Sequence, residues 1–244
     1  MILLIDAGNT RIKWAVLDGD TWLANDALAH GAVGELRAIA AAHPGVTRIF
    51  GANVAGPQVA AAIADALDGL APPPQWLQSS AQSCGVINAY DNPRQLGCDR
   101  WAALIGARAQ HAGAGLVVNA GTATTVDVLD ADGHFRGGII LPGERLMRRS
   151  LAGNTAQLPF SEGRYTATPR NTADAIASGC LNAQAGAIER MFRHVADQAD
   201  ACCLLSGGGA DALAGLLNVP LRRIDNLVLK GLAAIAATEP PPIR

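Results

Sequence analysis

Two stretches of this chain, 113 residues apart, echo each other. Ile5-Asp6-Ala7-Gly8-Asn9-Thr10 leads into Arg11-Ile12-Lys13-Trp14-Ala15-Val16-Leu17-Asp18. Val118-Asn119-Ala120-Gly121-Thr122-Ala123 leads into Thr124-Thr125-Val126-Asp127-Val128-Leu129-Asp130. At that offset Asp6 falls on Asn119 and Gly8 on Gly121. Each copy then reaches a further turn, Asp18-Gly19-Asp20 or Asp130-Ala131-Asp132-Gly133. Apolar runs broken by a glycine turn read as strand, turn, strand. The offset is close to half of the 244 residues. The echo therefore predicts two like-folded halves, residues 1–114 and 115–244, each opening with a β-hairpin, with a cleft between them.

Helical and strand signals alternate behind each hairpin. Val59, Ile63, Leu67 and Leu70 recur at helical spacing until Ala71-Pro72-Pro73-Pro74 breaks the run. Helices are also expected over Ala102–His111, Thr172–Val195 and Asn226–Ala237. Ala112-Gly113-Ala114-Gly115 interrupts the second helical run before a strand at Leu116–Val118. Ala201–Leu205 reads as a buried strand in which Cys202 and Cys203 serve as small hydrophobes. Pro240-Pro241-Pro242 reads as a frayed tail. The pattern is mixed α/β, hairpins leading and helices following.

Composition excludes several functions. The net charge is −2 with no basic run, which argues against nucleic acid as a partner. No apolar stretch reaches the ~18 residues of a membrane span. The N-terminus has no basic segment ahead of its short apolar run, so a cytoplasmic location is expected. Five cysteines without a CxxC pair, and five scattered histidines, argue against a protein-bound transition metal.

Chemistry concentrates in the turns. In Asp6-Ala7-Gly8-Asn9-Thr10-Arg11-Ile12-Lys13 a strand ends in a carboxylate, and a glycine then turns the backbone. Such a loop can cradle phosphate oxygens on its N–H groups. Asp6 would hold Mg²⁺ through a hard oxygen, and Lys13 would offset phosphate charge. A plain Asp-Gly-Asn hairpin turn is the competing reading. The second glycine hairpin, Gly121 to Thr125, favours the cradle, because two such loops across a cleft would grip a triphosphate. Ser206-Gly207-Gly208-Gly209, entering a helix at Ala210, is either a nucleoside contact or a helix-entry turn. Asp99, before a helical run in Gly97-Cys98-Asp99-Arg100-Trp101, is either an N-cap or a general base, with Arg100 binding an anionic substrate. His134, Trp14, Trp22 and Trp76 read as surface or packing residues.

DAGNTRIK, YDNPRQLGCDRW, NAGTATTVDV, GGIILPG and NTADAIASG occur in the order that resembles type III pantothenate kinases (the Bvg accessory factor family), from residue 2 to about 235. The resemblance implies a two-domain actin-like, ribonuclease-H-like kinase fold. It also implies ATP-dependent phosphorylation of pantothenate, the first step of coenzyme A synthesis. Asp6 to Lys13 then match the ATP-phosphate loop, and Thr122 an ATP-contacting threonine. Tyr90, Gly97, Asp99 and Arg100 match pantothenate-binding positions, with Cys98 as the variable residue among them. Asp99 matches the proton acceptor and Thr172 a further substrate contact, with an N-cap threonine as its plain alternative. A homodimer, with the acceptor site completed at the subunit interface, is also implied. One departure stands out. The family usually carries aspartate where this chain has Asn119, and that aspartate ligates a monovalent cation, K⁺ or NH₄⁺. The competing functions are a non-catalytic nucleotide-binding regulator on the same scaffold, or a kinase for another small hydroxylated acceptor.

Overall fold

The computed structural model describes residues 1–154, 160 and 162–238. The tail prolines 240–242 lie outside the described residues. Contacts divide the chain into two compact units.

The first unit runs from Met1 to Gln110 and regains the chain from Leu227 onward. Its elements are β1 (Ile2–Ala7), β2 (Arg11–Asp18), β3 (Thr21–Ala29), α1 (Glu35–Ala42), β4 (Arg48–Asn53), α2 (Pro57–Leu67), β5 (Gln75–Trp76), the short hairpin of β6 (Gln82–Ser83) and β7 (Val86–Asn88), and α3 (Cys98–Gln110). The first five strands form one sheet in the order β3-β2-β1-β4-β5, with β1 antiparallel to β2 and parallel to β4.

The second unit, His111–Asn226, holds β8 (Gly115–Ala120), β9 (Ala123–Leu129), β10 (His134–Pro142), α4 (Glu144–Asn154), α5 (Thr172–Phe192), β11 (Cys202–Ser206), α6 (Ala210–Ala214) and β12 (Leu221–Arg223). Its strands lie in the order β10-β9-β8-β11-β12, again antiparallel, antiparallel, parallel, parallel. Both units therefore repeat one sheet plan, as the echo predicts.

The repeat slips by one residue inside the turn. In the first hairpin Asp6 pairs with Lys13 and Ala7 with Ile12. In the second Asn119 pairs with Thr125 and Ala120 with Thr124. The structural counterpart of Lys13 is thus Thr125, where a uniform offset would give Val126. Side chains alternate faces along a strand, so the slip keeps Trp14 and Val126 on the core face of their sheets.

The same alternation positions the site. Leu3, Ile5 and Ala7 of β1 join Ile12, Trp14 and Val16 of β2 in a core closed by Leu36, Ala40, Ile63 and Leu67 from α1 and α2. Asp6 and Lys13 are out of phase with that set and point to the other face, which α3 and the last helix, α7 (Leu227–Thr238), cover.

Helix α7 is where the compact units depart from the expected split of 1–114 and 115–244. It packs on α3, β1 and β4 of the first unit. The helices touch backbone to backbone. A methyl at Gly231 would overlap the Ala102 carbonyl oxygen, and one at Gly106 that of Leu227. Overpacking of this kind costs about 1–3 kcal/mol or more. The start of α3, which carries Asp99 and Arg100, is thereby held against the sheet. Among the described residues no helix is long and apolar enough to cross a membrane.

Candidate active site

In the first unit Asp6 is next to last in β1 and is 8% exposed. Burial pushes its carboxyl up to about 6 from the ordinary 3.8; Lys13 pulls back and the Asp99 charge adds to the rise. The Asp99 charge thus reaches the Asp6 carboxyl although the two lie 93 positions apart in the chain. Beyond Asp6 the Gly8 N–H closes the turn on the Arg11 carbonyl at 3.1 Å, and the Ala7 carbonyl accepts from Val54 N–H at 3.0 Å. Asn9, Thr10 and Arg11 are exposed.

The shift of Asp6 sets a sign. Its folded value lies above its unfolded one, so the proton is held more tightly when folded. The resulting stability is present below pH 3.8 and is lost as pH rises through about 6. At pH 7 the buried charge costs on the order of 3 kcal/mol, at ~1.4 kcal/mol per unit. Asp6→Asn should therefore melt higher than the parent at pH 7 in metal-free buffer, with the gap closing toward pH 4.5. Its activity should be low at both. Equal melting temperatures at pH 7 would show that Asp6 bears no desolvation cost.

Asp99 lies inside the first turn of α3, so the expected N-cap role is corrected. The helix already runs from Cys98, and the Gly97 carbonyl accepts the Trp101 N–H at 2.9 Å. Asp99 Oδ1 accepts the Arg100 N–H at 2.8 Å. Burial raises the Asp99 carboxyl, and this N–H and the Arg100 charge offset part of that rise. Gly97 makes room for the carboxylate, because a Cβ there would sit 2.7 Å from Asp99 Oδ1. Cys98 donates its thiol proton to the Asn53 carbonyl, Sγ to O 3.6 Å. Burial, and then the Asp99 charge, push this thiol up, so it stays protonated.

Arg100 is 5% exposed. Its Nη1 donates to Tyr90 Oη at 3.0 Å, and the guanidinium carbon lies 5.7 Å from the Tyr90 ring centroid. Tyr90 is fixed in turn. Its N–H bonds Asn88 Oδ1 at 3.1 Å, while Asn88 Nδ2 ties down the carbonyls of Ser80 and Pro93. Asn88 gave no motif signal. Its buried amide acts only through this loop geometry.

In the second unit Asn119, Thr125 and Ser206 stand side by side on one face, across β8, β9 and β11. The charged Asp6–Lys13 pair of the first hairpin is thus neutral in its counterpart. Gly121 N–H bonds the Ala123 carbonyl at 3.0 Å, and the Thr122 carbonyl accepts from Gly143 N–H at 2.9 Å. The third loop folds onto the second, with Gly209 N–H on the Ala120 carbonyl at 2.9 Å. Thr172 is the first residue of α5. The cap is Asn171, whose Oδ1 accepts the Asp174 N–H at 2.9 Å, so the N-cap alternative for Thr172 is corrected. Thr172 lines a groove of about 950 Å³ with Asn171, Pro142, Met147, Leu151 and Cys180. The sequence-derived candidates therefore fall into two groups. Asp6 to Lys13, Tyr90 and Gly97 to Arg100 lie in the first unit; Asn119, Thr122 and Thr172 lie in the second.

Residues 2–194 match the family model described as type III pantothenate kinase. The chain is 68% identical to the type III pantothenate kinase of Aromatoleum aromaticum, over 97% of this chain and 98% of that one. It is 55% identical to that of Azoarcus sp., over 98% and 92%. Among solved structures it resembles ethanolamine utilization protein EutJ from Carboxydothermus hydrogenoformans. The TM-score is 0.56 at 15% identity, over 96% of this chain and 88% of that one. That likeness speaks for the fold alone, the actin-like, ribonuclease-H-like plan repeated in the two units.

Proposed function

This chain belongs to the type III pantothenate kinase family, and we propose that two buried carboxylates, Asp6 and Asp99, divide its reaction between them. The enzyme transfers a phosphoryl group from ATP to the hydroxyl of pantothenate, giving 4′-phosphopantothenate, the first step of coenzyme A synthesis. The observation that carries the division is that the Asp99 charge reaches the buried Asp6 carboxyl, Asp6 standing next to last in a strand beside a glycine loop and Asp99 in the first turn of a helix beside Arg100.

Asp6 fits Mg²⁺. It is a hard oxygen donor, buried and at odds with its surroundings until a cation arrives. When bound, Mg²⁺ supplies positive charge to the phosphate oxygens. The loop from Ala7 to Ile12 receives phosphates on its N–H groups, Lys13 offsets their charge, and Thr122 is a further ATP contact. Asp99 orients the pantothenate hydroxyl and takes its proton as the new P–O bond forms. Arg100, braced by Tyr90, binds the pantothenate carboxylate beside Gly97 and Cys98. Thr172 adds a substrate contact. Phosphoryl transfer asks little covalent help of a protein, so positioning and charge carry the rate. The cytoplasm, which holds ATP, is its place of action. A coupled ADP-release assay with pantothenate and other hydroxylated acceptors tests the substrate. Release should need pantothenate, and equal release with an unrelated sugar would overturn the assignment.

The acceptor side is completed in a homodimer. None of α4 is buried, and Ile140 is 62% exposed, with Leu146 and Leu151 exposed close by in the chain. An apolar surface of this kind marks an interface. Light scattering should report twice the 25.1 kDa chain mass; a fully active monomer at working concentration would contradict it.

Asn119 holds a monovalent cation weakly, because an amide oxygen lacks formal charge. Activation by K⁺ or NH₄⁺ over Na⁺ should be shallow, and Asn119→Asp should steepen it. Steep activation by K⁺ that Asn119→Asp leaves unchanged would show that the residue is no ligand.

A further inference from the structure

We propose that His30 is a positioning residue for ATP, acting as a lock on the peptide that presents the Asn9 N–H to phosphate. This rests on the phosphate-loop reading above and adds a residue that no motif contains.

The register of β2 with β3 brings it there. Arg11 pairs with Ala29, so the next residue, His30, leaves β3 alongside the Gly8-Asn9-Thr10 loop. His30 Nε2 lies 2.9 Å from the Gly8 carbonyl oxygen. A carbonyl oxygen can only accept, so Nε2 carries the proton and donates. The ring is half-buried at the head of a 3-10 turn, whose closing bond runs from Val33 N–H to the His30 carbonyl.

A trans peptide unit is planar, and its C=O and N–H point in opposite directions. Holding the Gly8 carbonyl on one side therefore aims the Asn9 N–H to the other. Among the described residues that N–H has no hydrogen-bond partner, and Asn9 is exposed. An exposed, oriented and unpaired amide is what an anionic oxygen needs. Glycine at position 8 makes the unit easy to flip, and the flipped form would turn a carbonyl toward phosphate. The imidazole opposes that flip.

Three variants decide the matter. His30→Leu removes the donor. His30→Gln keeps an amide N–H at nearly the same reach. Asp6→Asn reports on the loop itself. Loss of one neutral hydrogen bond corresponds to about a 3- to 10-fold effect. His30→Leu should raise KM for MgATP by that factor and leave KM for pantothenate and the melting temperature near the parent values. His30→Gln should restore most of the MgATP affinity. If His30→Leu fails to fold, His30→Asn, polar but too short to reach, carries the same expectation. Unchanged MgATP use in His30→Leu while Asp6→Asn impairs it would overturn the lock and leave the loop reading intact. Unchanged use in both would overturn the loop reading as well. A uniform loss toward both substrates with a lower melting temperature would make His30 a merely structural residue.

Discussion

Asp99→Asn should lower kcat by about 10²–10⁴-fold, the usual contribution of a positioned general base, while the fold stays as stable as the parent. The substitution is close to isosteric. Its side-chain oxygen can still accept the Arg100 N–H that Asp99 Oδ1 accepts at 2.8 Å, so the first turn of α3 keeps its local bond. Burial disfavours the Asp99 charge, so a neutral amide relieves a cost and does not add one. What the variant loses is proton affinity where the pantothenate hydroxyl must be relieved of its proton. Activity near the parent level would return Asp99 to a structural role and leave the base elsewhere. A lower melting temperature alongside lost activity would make the rate uninterpretable as chemistry.

Gly97→Ala should cost about 10²-fold in kcat, the scale expected for a misplacement near 1 Å at a reacting group. The reason is local. The added Cβ would stand 2.7 Å from Asp99 Oδ1, closer than carbon and oxygen approach without bonding, so one must move. The backbone at Gly97 is tied down by the Trp101 N–H on its carbonyl, and the carboxylate is the softer partner. It would rotate off its bond to the Arg100 N–H and away from its aim. MgATP affinity should stay near the parent value, because nothing in the Gly8 loop is touched. Normal kcat in Gly97→Ala would mean that Asp99 tolerates displacement, which a general base does not.

Part of the fold was legible because strands announce their faces. The spacing of Asp6 and Lys13 places them opposite each other across a glycine turn, and both units do open with such a hairpin. The echo also foretold one sheet plan used twice. The start of α3 was not legible. Gly97-Cys98-Asp99-Arg100 has no apolar rhythm, so the helix reads as starting at Ala102, a turn later than its real start at Cys98. That error made Asp99 look like a cap. The one-residue slip between the hairpins was hidden because one ungapped offset was carried through the turn; it sets Lys13 on Val126 and Trp14 on Asp127, whereas the strand pairing sets Trp14 on Val126. The return of α7 to the first unit depends on the Gly106 and Gly231 contacts, which only the folded chain brings together. His30 and Asn88 act through backbone carbonyls, and a side chain that recognises backbone leaves no sequence pattern behind.

The division of labour between the carboxylates is tested most directly by calorimetric titration of MgATP into the parent, Asp6→Asn and Asp99→Asn. Asp99→Asn should bind MgATP within about twofold of the parent although it barely turns over. Asp6→Asn should bind at least about tenfold more weakly, since even partners one shell removed from a metal cost 10–100-fold. Tight MgATP binding by Asp6→Asn, or equal weakening in both variants, would contradict the account.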